Sequence, residues 1–435
     1  MRGILVVLLF ALALPFALRR PLVGLLLYFW ISIMNPHRYT WGFTETLPLA
    51  QIAALVTLVS CLFNFKELKF PRLREIYPFF LFWLFITITT MYSLYPDLAW
   101  EKWKIVSKIF LMTFITMLVV TTREKLLYFI VAIMAYIGLI GVKGTIFGIR
   151  TAGQYKVWGP PGSFLADNND IGLALVMIIP LCFFVKNLLA KKIYSHGVFF
   201  MGVASGISAV LTFSRGALLG LATIGLFYFL QAKNKLAVFI ALVSAVVISL
   251  SFLPSSWFER MNTISTFKSD ASANQRLDSW TFSYRLARAH ALGGGFECFT
   301  PEQYFLYSPN PTINVSGEDA HTAHSIYFQV LAEHGFGGLI IFLGCLLSTI
   351  FTLRKLNRFS RYLPDGDWIA VYSRAFTVSL TGFMACGAFL SRAYFDLFWI
   401  IYAAAACLKA IVFSDNWIEE PAAVMAQPVK VFNPA

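Results

Sequence analysis

An all-α membrane protein with about 12 transmembrane helices and one long outer loop is the fold this sequence predicts, on three observations. Only 13% of the 435 residues are charged while 58% are hydrophobic, against about 25% charged in a soluble domain. The apolar residues gather in runs that approach the ~20 residues a bilayer-crossing helix needs. Lys and Arg recur in every second connection between those runs, as they do on the cytoplasmic side of membrane proteins.

The runs lie near 3–18, 22–34, 47–64, 77–93, 105–121, 126–141, 171–187, 195–213, 216–231, 236–253, 336–353, 371–390 and 394–413. The first two are short and read as a tight hairpin or one broken span, which sets the total at 12 or 13. Ile4–Leu18 has the length of a signal peptide's apolar core, but Arg19-Arg20-Pro21 follows where a small-residue cleavage site would stand, so the segment is kept as structure. The 43 Phe, 18 Tyr and 11 Trp suit a lipid-facing surface with aromatic belts at both interfaces.

Five basic connections mark the inner side: Lys66/Lys69/Arg72/Arg74, Arg123/Lys125, Lys186/Lys191/Lys192, Lys233/Lys235 and Arg354/Lys355/Arg358/Arg361. They explain the net charge of +13 without nucleic acid. The loops near 94–103, 142–170, 214–215, 254–324 and 391–393 then fall on the outer side, the periplasm of a bacterium with two membranes. The organisation that follows is N-terminal spans over 1–141, further spans over 142–253, a polar loop over 254–324, C-terminal spans over 325–413 and a tail over 414–435. Within the long loop, ASANQRLDSWTFSYRLARAHA (271–291) reads as one or two helices on the membrane surface and GGGF (293–296) as a turn. The six cysteines are scattered, five of them in apolar runs and Cys298 in the loop, with no disulfide or zinc spacing.

Candidate chemistry gathers on the outer side. Arg215 sits in a two-residue break between spans, where it is either an interfacial arginine reaching headgroups or a contact for an anion. Arg276 is either a solvated residue paired with Asp278 or a second such contact. Arg150 and Arg392 are weaker candidates, because interfacial loops commonly carry one arginine as an anchor. Topology brings Arg150, Arg215, Arg276 and His324 to one face, and the arginine fork matches diphosphate oxygens. His321 and His324, near Glu318 and Asp319, offer no third ligand at zinc spacing, so no metal is expected. His324, Phe328, Leu331, Gly335 and Gly338 follow in steps of 4, 3, 4 and 3, one helical face, with the glycines allowing close approach of another helix. This spacing singles out His324 and leaves His321 in a supporting place. His334 projects from another face and reads as a buried or interfacial histidine. A neutral imidazole can take a proton from an attacking hydroxyl, and arginines can hold a departing diphosphate. The outer loops contain no Asp-x-Asp pair of the kind that holds a metal for nucleotide sugars.

His324-Ser325, nine residues, then Gly335-Phe336-Gly337-Gly338 resembles the His-(Asn/Ser/Gln)-x9-Gly-x-x-Gly motif of the O-antigen ligase and O-antigen polymerase superfamily. Phe213-Ser214-Arg215-Gly216, Asn274-Gln275-Arg276-Leu277 and Gly162-Ser163-Phe164 leading into Asn168-Asn169 are similar to further stretches of that family. The resemblance covers about 145–410. The first ~120 residues, with RRPLVGLLLYFWISIMNPHRYTWGF, resemble the branch described as O-glycosylation ligases associated with exosortase systems.

The resemblance implies a GT-C-like helical fold in the inner membrane with its active site facing the periplasm. It implies transfer of a polysaccharide from undecaprenyl diphosphate to a lipid A-core oligosaccharide, without metal, nucleotide or other cofactor. His324 would be the general base, and Arg215 and Arg276, with Arg150, would hold the diphosphate; His321, Ser325, Gly335, Gly338 and Asn168 would support them. Ser325 stands where Asn is commoner. A polymerase or a protein O-glycosylation ligase would use the same donor. A transporter for an anion or lipid is disfavoured, since the charges cluster at one face and no inverted repeat is evident.

Overall fold

The computed structural model describes residues 2–40, 42–70, 73–251, 254, 257, 271–309 and 320–414. Each expected run lies on its own helix. The first ten are α1 (Arg2–Arg19), α2 (Pro21–Met34), α3 (Leu49–Phe63), α4 (Leu73–Met91), α5 (Pro96–Val119), α6 (Arg123–Arg150), α7 (Asn168–Val185), α8 (Lys192–Leu211), α9 (Arg215–Gln231) and α10 (Lys235–Ser251). Two helices of the 254–324 segment follow, α11 (Ala271–Ala289) and α12 (Pro301–Tyr307). The last three are α13 (Ile326–Phe359), α14 (Asp367–Gly387) and α15 (Asp396–Ser414). Among the described residues there is no strand. Among the described residues six helices are long and apolar enough to cross a membrane, and five shorter apolar ones accompany them; the chain is a polytopic membrane protein.

The first two runs form a hairpin. Pro21, which lacks an N–H and presets a helical φ, starts α2 directly after the extended Arg20. Their shared seam with α3 buries Phe10, Ala17, Leu27, Ile31 and Ala53.

Two sets of loop contacts define the ends of the bundle. At one end Arg123 pairs with Asp365 at 2.6 Å, Lys125 with Glu67 at 3.8 Å, and Lys69 N–H bonds Leu118 C=O. At the other, here the site end, Asn35 donates to Pro161 C=O (2.9 Å), Leu94 N–H to Gly294 C=O (3.0 Å) and Asn168 to Thr212 C=O (2.8 Å). The loops that charge alternation sorted into two groups are thus joined within each group.

Helix α7 is central, with nearly every residue from Asn168 to Cys182 buried. A neighbouring aromatic core joins α4, α5, α14 and α15: Phe79 stacks on Phe110 at 4.7 Å, Phe82 on Trp399 at 5.9 Å and Phe383 on Phe398 at 4.8 Å. All six cysteines are free and buried; Cys298 lies in the outer-loop cluster with Phe282, Leu286 and Tyr304.

Two boundaries differ from the expected ones. Helix α6 continues to Arg150 instead of giving way to loop at 142, because Gly138, Gly141, Gly144 and Gly148 face Met201, Ser205, Ser208 and Leu211 of α8 in a small-residue seam that rewards further helix. Helix α13 starts at Ile326, ten residues before the expected 336, and is interrupted at Gly335 (φ 65°, ψ −170°). The turn predicted at 293–296 fits into that interruption, with Gly294 N–H on Ala332 C=O (2.8 Å) and Gly295 N–H on Glu333 C=O (2.9 Å).

Gly293 itself has φ 72°, and a Cβ there would stand 2.6 Å from the backbone nitrogens of His334 and Gly335. Gly293→Ala is therefore expected to cost about 1–3 kcal/mol through overpacking against immovable backbone, measured as a lower Tm of the detergent-solubilised protein. Gly197→Ala, with open space around it, is expected to hold or raise Tm, since helical Gly is the weaker residue.

Candidate functional site

The site is assembled around His324, which lies outside the helix that was expected to carry it. Ser325 (φ −160°) is the N-cap of α13, so His324 precedes the first turn and takes a left-handed backbone, φ 46°. The predicted helical face therefore does not reach His324, although Phe328, Leu331 and Gly335 do belong to α13. A left-handed non-glycine residue costs about 1–2 kcal/mol and persists where partners over-determine it. The strap 321–324 has such partners: Tyr304 OH donates to His321 C=O at 2.5 Å, Trp280 Nε1–H to Ala323 C=O at 2.9 Å, and Ser391 Oγ accepts His324 N–H at 2.7 Å.

Helix α11 brings the first charge. Trp280 stacks flat on Phe328 of α13, with centroids 4.9 Å apart and planes at 7°. One turn earlier on the same face, half-buried Arg276 holds its guanidinium 5.7 Å from the Phe389 ring. His324 is exposed as a residue, yet protein crowds its ring. That desolvation first, and then the positive charges of Arg276 and His321, lower its pKa from the ordinary imidazole value, with Asp167 opposing. The shift favours the neutral imidazole, and Arg276, His321 and Asp167 are the groups whose charge bears on it.

Helices α7 and α9 bring the rest. Asp167 caps α7 by accepting Asn169 N–H at 2.8 Å. Buried Asn168 donates to Thr212 C=O, tying that cap to the break between α8 and α9. In the break Phe213 is left-handed (φ 58°), and Ser214 caps α9 by accepting Ala217 N–H, which makes Arg215 the first residue of α9. Arg215 is half-buried there. Arg150 is exposed on the last residue of α6; of the three arginines only Arg276 is among the groups that act on His324. The N-termini of α7, α9, α13 and α15 all open at this end, and each brings the partial positive charge of a helix start.

The glycines of α13 act at close quarters. At Gly335 a Cβ would meet Ala291 C=O and Gly293 N, so the approaching element is the glycine turn. At Gly337 and Gly338 the neighbour is Phe85 of α4, joined at Gly338 by His334 of the preceding turn. His334 is fully buried, as its sequence position suggested. Glu318 and Asp319 lie outside the described residues.

Sequence reasoning missed three groups. Arg392, expected as an interfacial anchor, forms a bidentate ion pair with buried Asp170 of α7. Ser391 holds the His324 backbone, and the charge of Asp167 opposes the lowering of the His324 pKa. The pair Ser391-Arg392 echoes Ser214-Arg215 at another span end, a signal that could have found it.

Two families match this chain. Residues 1–190 match a family of unknown function, and residues 200–343 match the family described as O-Antigen ligase. Over residues 200–343 the chain is similar to the O-antigen ligase family. Its ligase-family segment runs from α8 to the first turn beyond Gly335, and so contains Arg215, Arg276, His321, His324 and Ser325. No curated protein matches the chain.

The charge layout can be read by chemical modification. Diethyl pyrocarbonate attacks neutral imidazole, so its rate at His324, followed by mass spectrometry against pH, is expected to have a midpoint below the ordinary imidazole pKa of about 6.5. Arg276→Gln removes a repelling cation and is expected to move the midpoint up; a midpoint unchanged or lowered by that substitution contradicts the arrangement.

Proposed function

We propose that this protein is an O-antigen ligase: a metal-independent, inverting glycosyltransferase. It moves a polysaccharide from undecaprenyl diphosphate to a hydroxyl of the lipid A-core oligosaccharide, at the periplasmic face of the inner membrane. The observation that carries the reading is the strained His324 at the start of α13, its pKa lowered by desolvation and by Arg276, within the segment that matches the O-Antigen ligase family.

In this reading the acceptor hydroxyl gives its proton to the His324 imidazole as its oxygen attacks the anomeric carbon from the face opposite the diphosphate. The anomeric C–O bond breaks, and the electron pair leaves on the diphosphate. Arg215 and Arg276 hold the charge that develops there, with Arg150 an outlying contact for the lipid-linked donor. The helix N-termini at this end add fixed positive potential. A diphosphate is a good leaving group, so no strong general acid is required. His321 and Asn168 act through backbone geometry, Asn168 by fixing the α7 cap against the Arg215 break. Ser325 starts α13, and Gly335 and Gly338 admit the turn and Phe85 that set its direction. The flanking apolar helices keep the site at lipid level, where the polyprenyl chain of the donor resides.

A second reading keeps the donor and changes the acceptor. The resemblance of the first ~120 residues to exosortase-associated O-glycosylation ligases favours a protein hydroxyl as the alternative to lipid A-core, and the motif shared with polymerases a polysaccharide chain. Lipopolysaccharide banding in a deletion strain separates them: uncapped core with intact polymer marks a ligase, shortened polymer a polymerase, and unchanged lipopolysaccharide a protein acceptor.

Ligation by the purified protein with lipid-linked donor and core acceptor is expected to continue in EDTA and to fall about 10²–10⁴-fold in His324→Ala, the usual contribution of a general base. Dependence on a divalent metal, or an unimpaired His324→Ala, would overturn the mechanism.

A further inference from the structure

Behind the His324 strap lies a polar network that the proposed reaction does not use. Gln329, Glu333 and His334 of α13 and Tyr394 of the α14–α15 loop are all buried. Tyr394 Oη stands 2.6 Å from Glu333 Oε2 and 2.7 Å from His334 Nε2. The other imidazole nitrogen, Nδ1, is 2.6 Å from Thr89 Oγ1 of α4, which itself donates to Ile86 C=O at 3.0 Å. Phe296 meets both the His334 and Tyr394 rings edge-on, at 4.7 and 5.1 Å, and closes the network from water.

Counting hydrogens gives the set Glu333, Tyr394 and His334 one titratable proton: on His334 it leaves two opposite charges in a buried apolar site, on Glu333 it leaves none, and the second is the cheaper arrangement. Tyr394 has one hydroxyl hydrogen and two short partners. If Glu333 is protonated, a single directed chain satisfies every group: Glu333 donates to Tyr394, Tyr394 to His334 Nε2, His334 Nδ1–H to Thr89, and Thr89 to Ile86 C=O. Removing that proton leaves a net negative charge in an apolar site, which is costly. Gln329 Nε2, at 3.4 Å, is the only further donor to Glu333 among the described residues. The other charges that act on Glu333, Lys102 and Glu297, are paired with each other at 2.9 Å. Adding a second proton makes both neighbours donors to Tyr394 and strands the tyrosine hydrogen.

The same network ends in the loop that holds the site, where four consecutive residues each make a different contact. Ser391 accepts His324 N–H, Arg392 pairs with Asp170, Ala393 N–H donates to Gln329 Oε1 at 3.1 Å, and Tyr394 joins Glu333 to His334.

We propose that Glu333 is a protonated, neutral acid in the resting protein and that Glu333, Tyr394 and His334 together form a positioning unit, which fixes the loop Ser391–Tyr394 and through it the strained backbone of His324. The unit touches no substrate; it acts through His324. The kinetic part of its test rests on the ligase reading, and the spectroscopic part does not.

Infrared difference spectra of the full chain in nanodiscs, wild type against Glu333→Gln, are expected to show one carboxylic acid C=O stretch present in the wild type and lost in the variant. Absence of that difference overturns the protonation. In ligation assays with a polyprenyl-diphosphate glycan donor, Glu333→Gln retains wild-type kcat, because its amide donates to Tyr394 as the acid does. Tyr394→Phe lowers kcat about 10- to 100-fold, the scale of a displaced catalytic group, with KM for the donor unchanged. A wild-type kcat in Tyr394→Phe, or a loss in Glu333→Gln as large as that in Tyr394→Phe, overturns the positioning role. Should Tyr394→Phe fail to fold, the infrared comparison still decides, and wild-type protein without ligation counts against the ligase reading alone.

Discussion

A backbone amide that leaves helical register near a bilayer must find a partner inside the protein, because lipid supplies none. The site end is built from places where that requirement is met. Phe213, His324 and Gly335 all have positive φ, and fixed contacts surround each: the Thr212–Asn168 bond beside Phe213, Ser391 on His324, and the glycine turn against Gly335. The loop Ser391–Tyr394 carries the largest share, since it satisfies groups on the 321–324 strap, α7 and α13 at once. Irregular backbone and chemistry therefore coincide here for one reason: the residues that cannot be helical are those that point side chains out of the helical lattice.

Electrostatics follows the same architecture. The helix starts that gather at this end make it positive even before Arg215 and Arg276 are counted. Asp167 and Asp170 temper that field, one as the cap of α7 and the other in its ion pair with Arg392. An imidazole in such surroundings stays unprotonated, while an anionic leaving group is drawn in. Of the two demands of the proposed reaction, the cationic cradle comes from this charge distribution, and the neutral base from desolvation first and the same charges second.

Most of the fold was legible because hydropathy and loop charge are local properties: a run of apolar residues such as 371–390 needs nothing distant to become α14. The glycine turn at 293–296 was legible as a turn, but its seat in the break of α13 was not, since that depends on two segments some forty residues apart meeting in space. For His324 the motif identified the residue and the helical spacing misplaced it, because Ser325, a common N-cap residue type, ends the helical face one position too late for His324 to join it. Arg276 and Arg215 were readable as charges in unusual places. Asp170 was not, being an acid inside an otherwise apolar run whose partner lies more than two hundred residues away.

The break at Gly335 also divides α13 mechanically. Ile326–His334 is bound to the glycine turn, to the loop Ser391–Tyr394 and to α11, whereas the long remainder from Phe336 to Phe359 exposes Phe336, Ile340, Leu347 and Phe351 on its outer surface. When bilayer thickness changes, helices respond by tilting. At Gly335 the helix axis is broken, so the direction of the rod is set apart from that of the head segment. The contacts that fix the backbone around His324 lie on the head side of that break, away from the exposed rod.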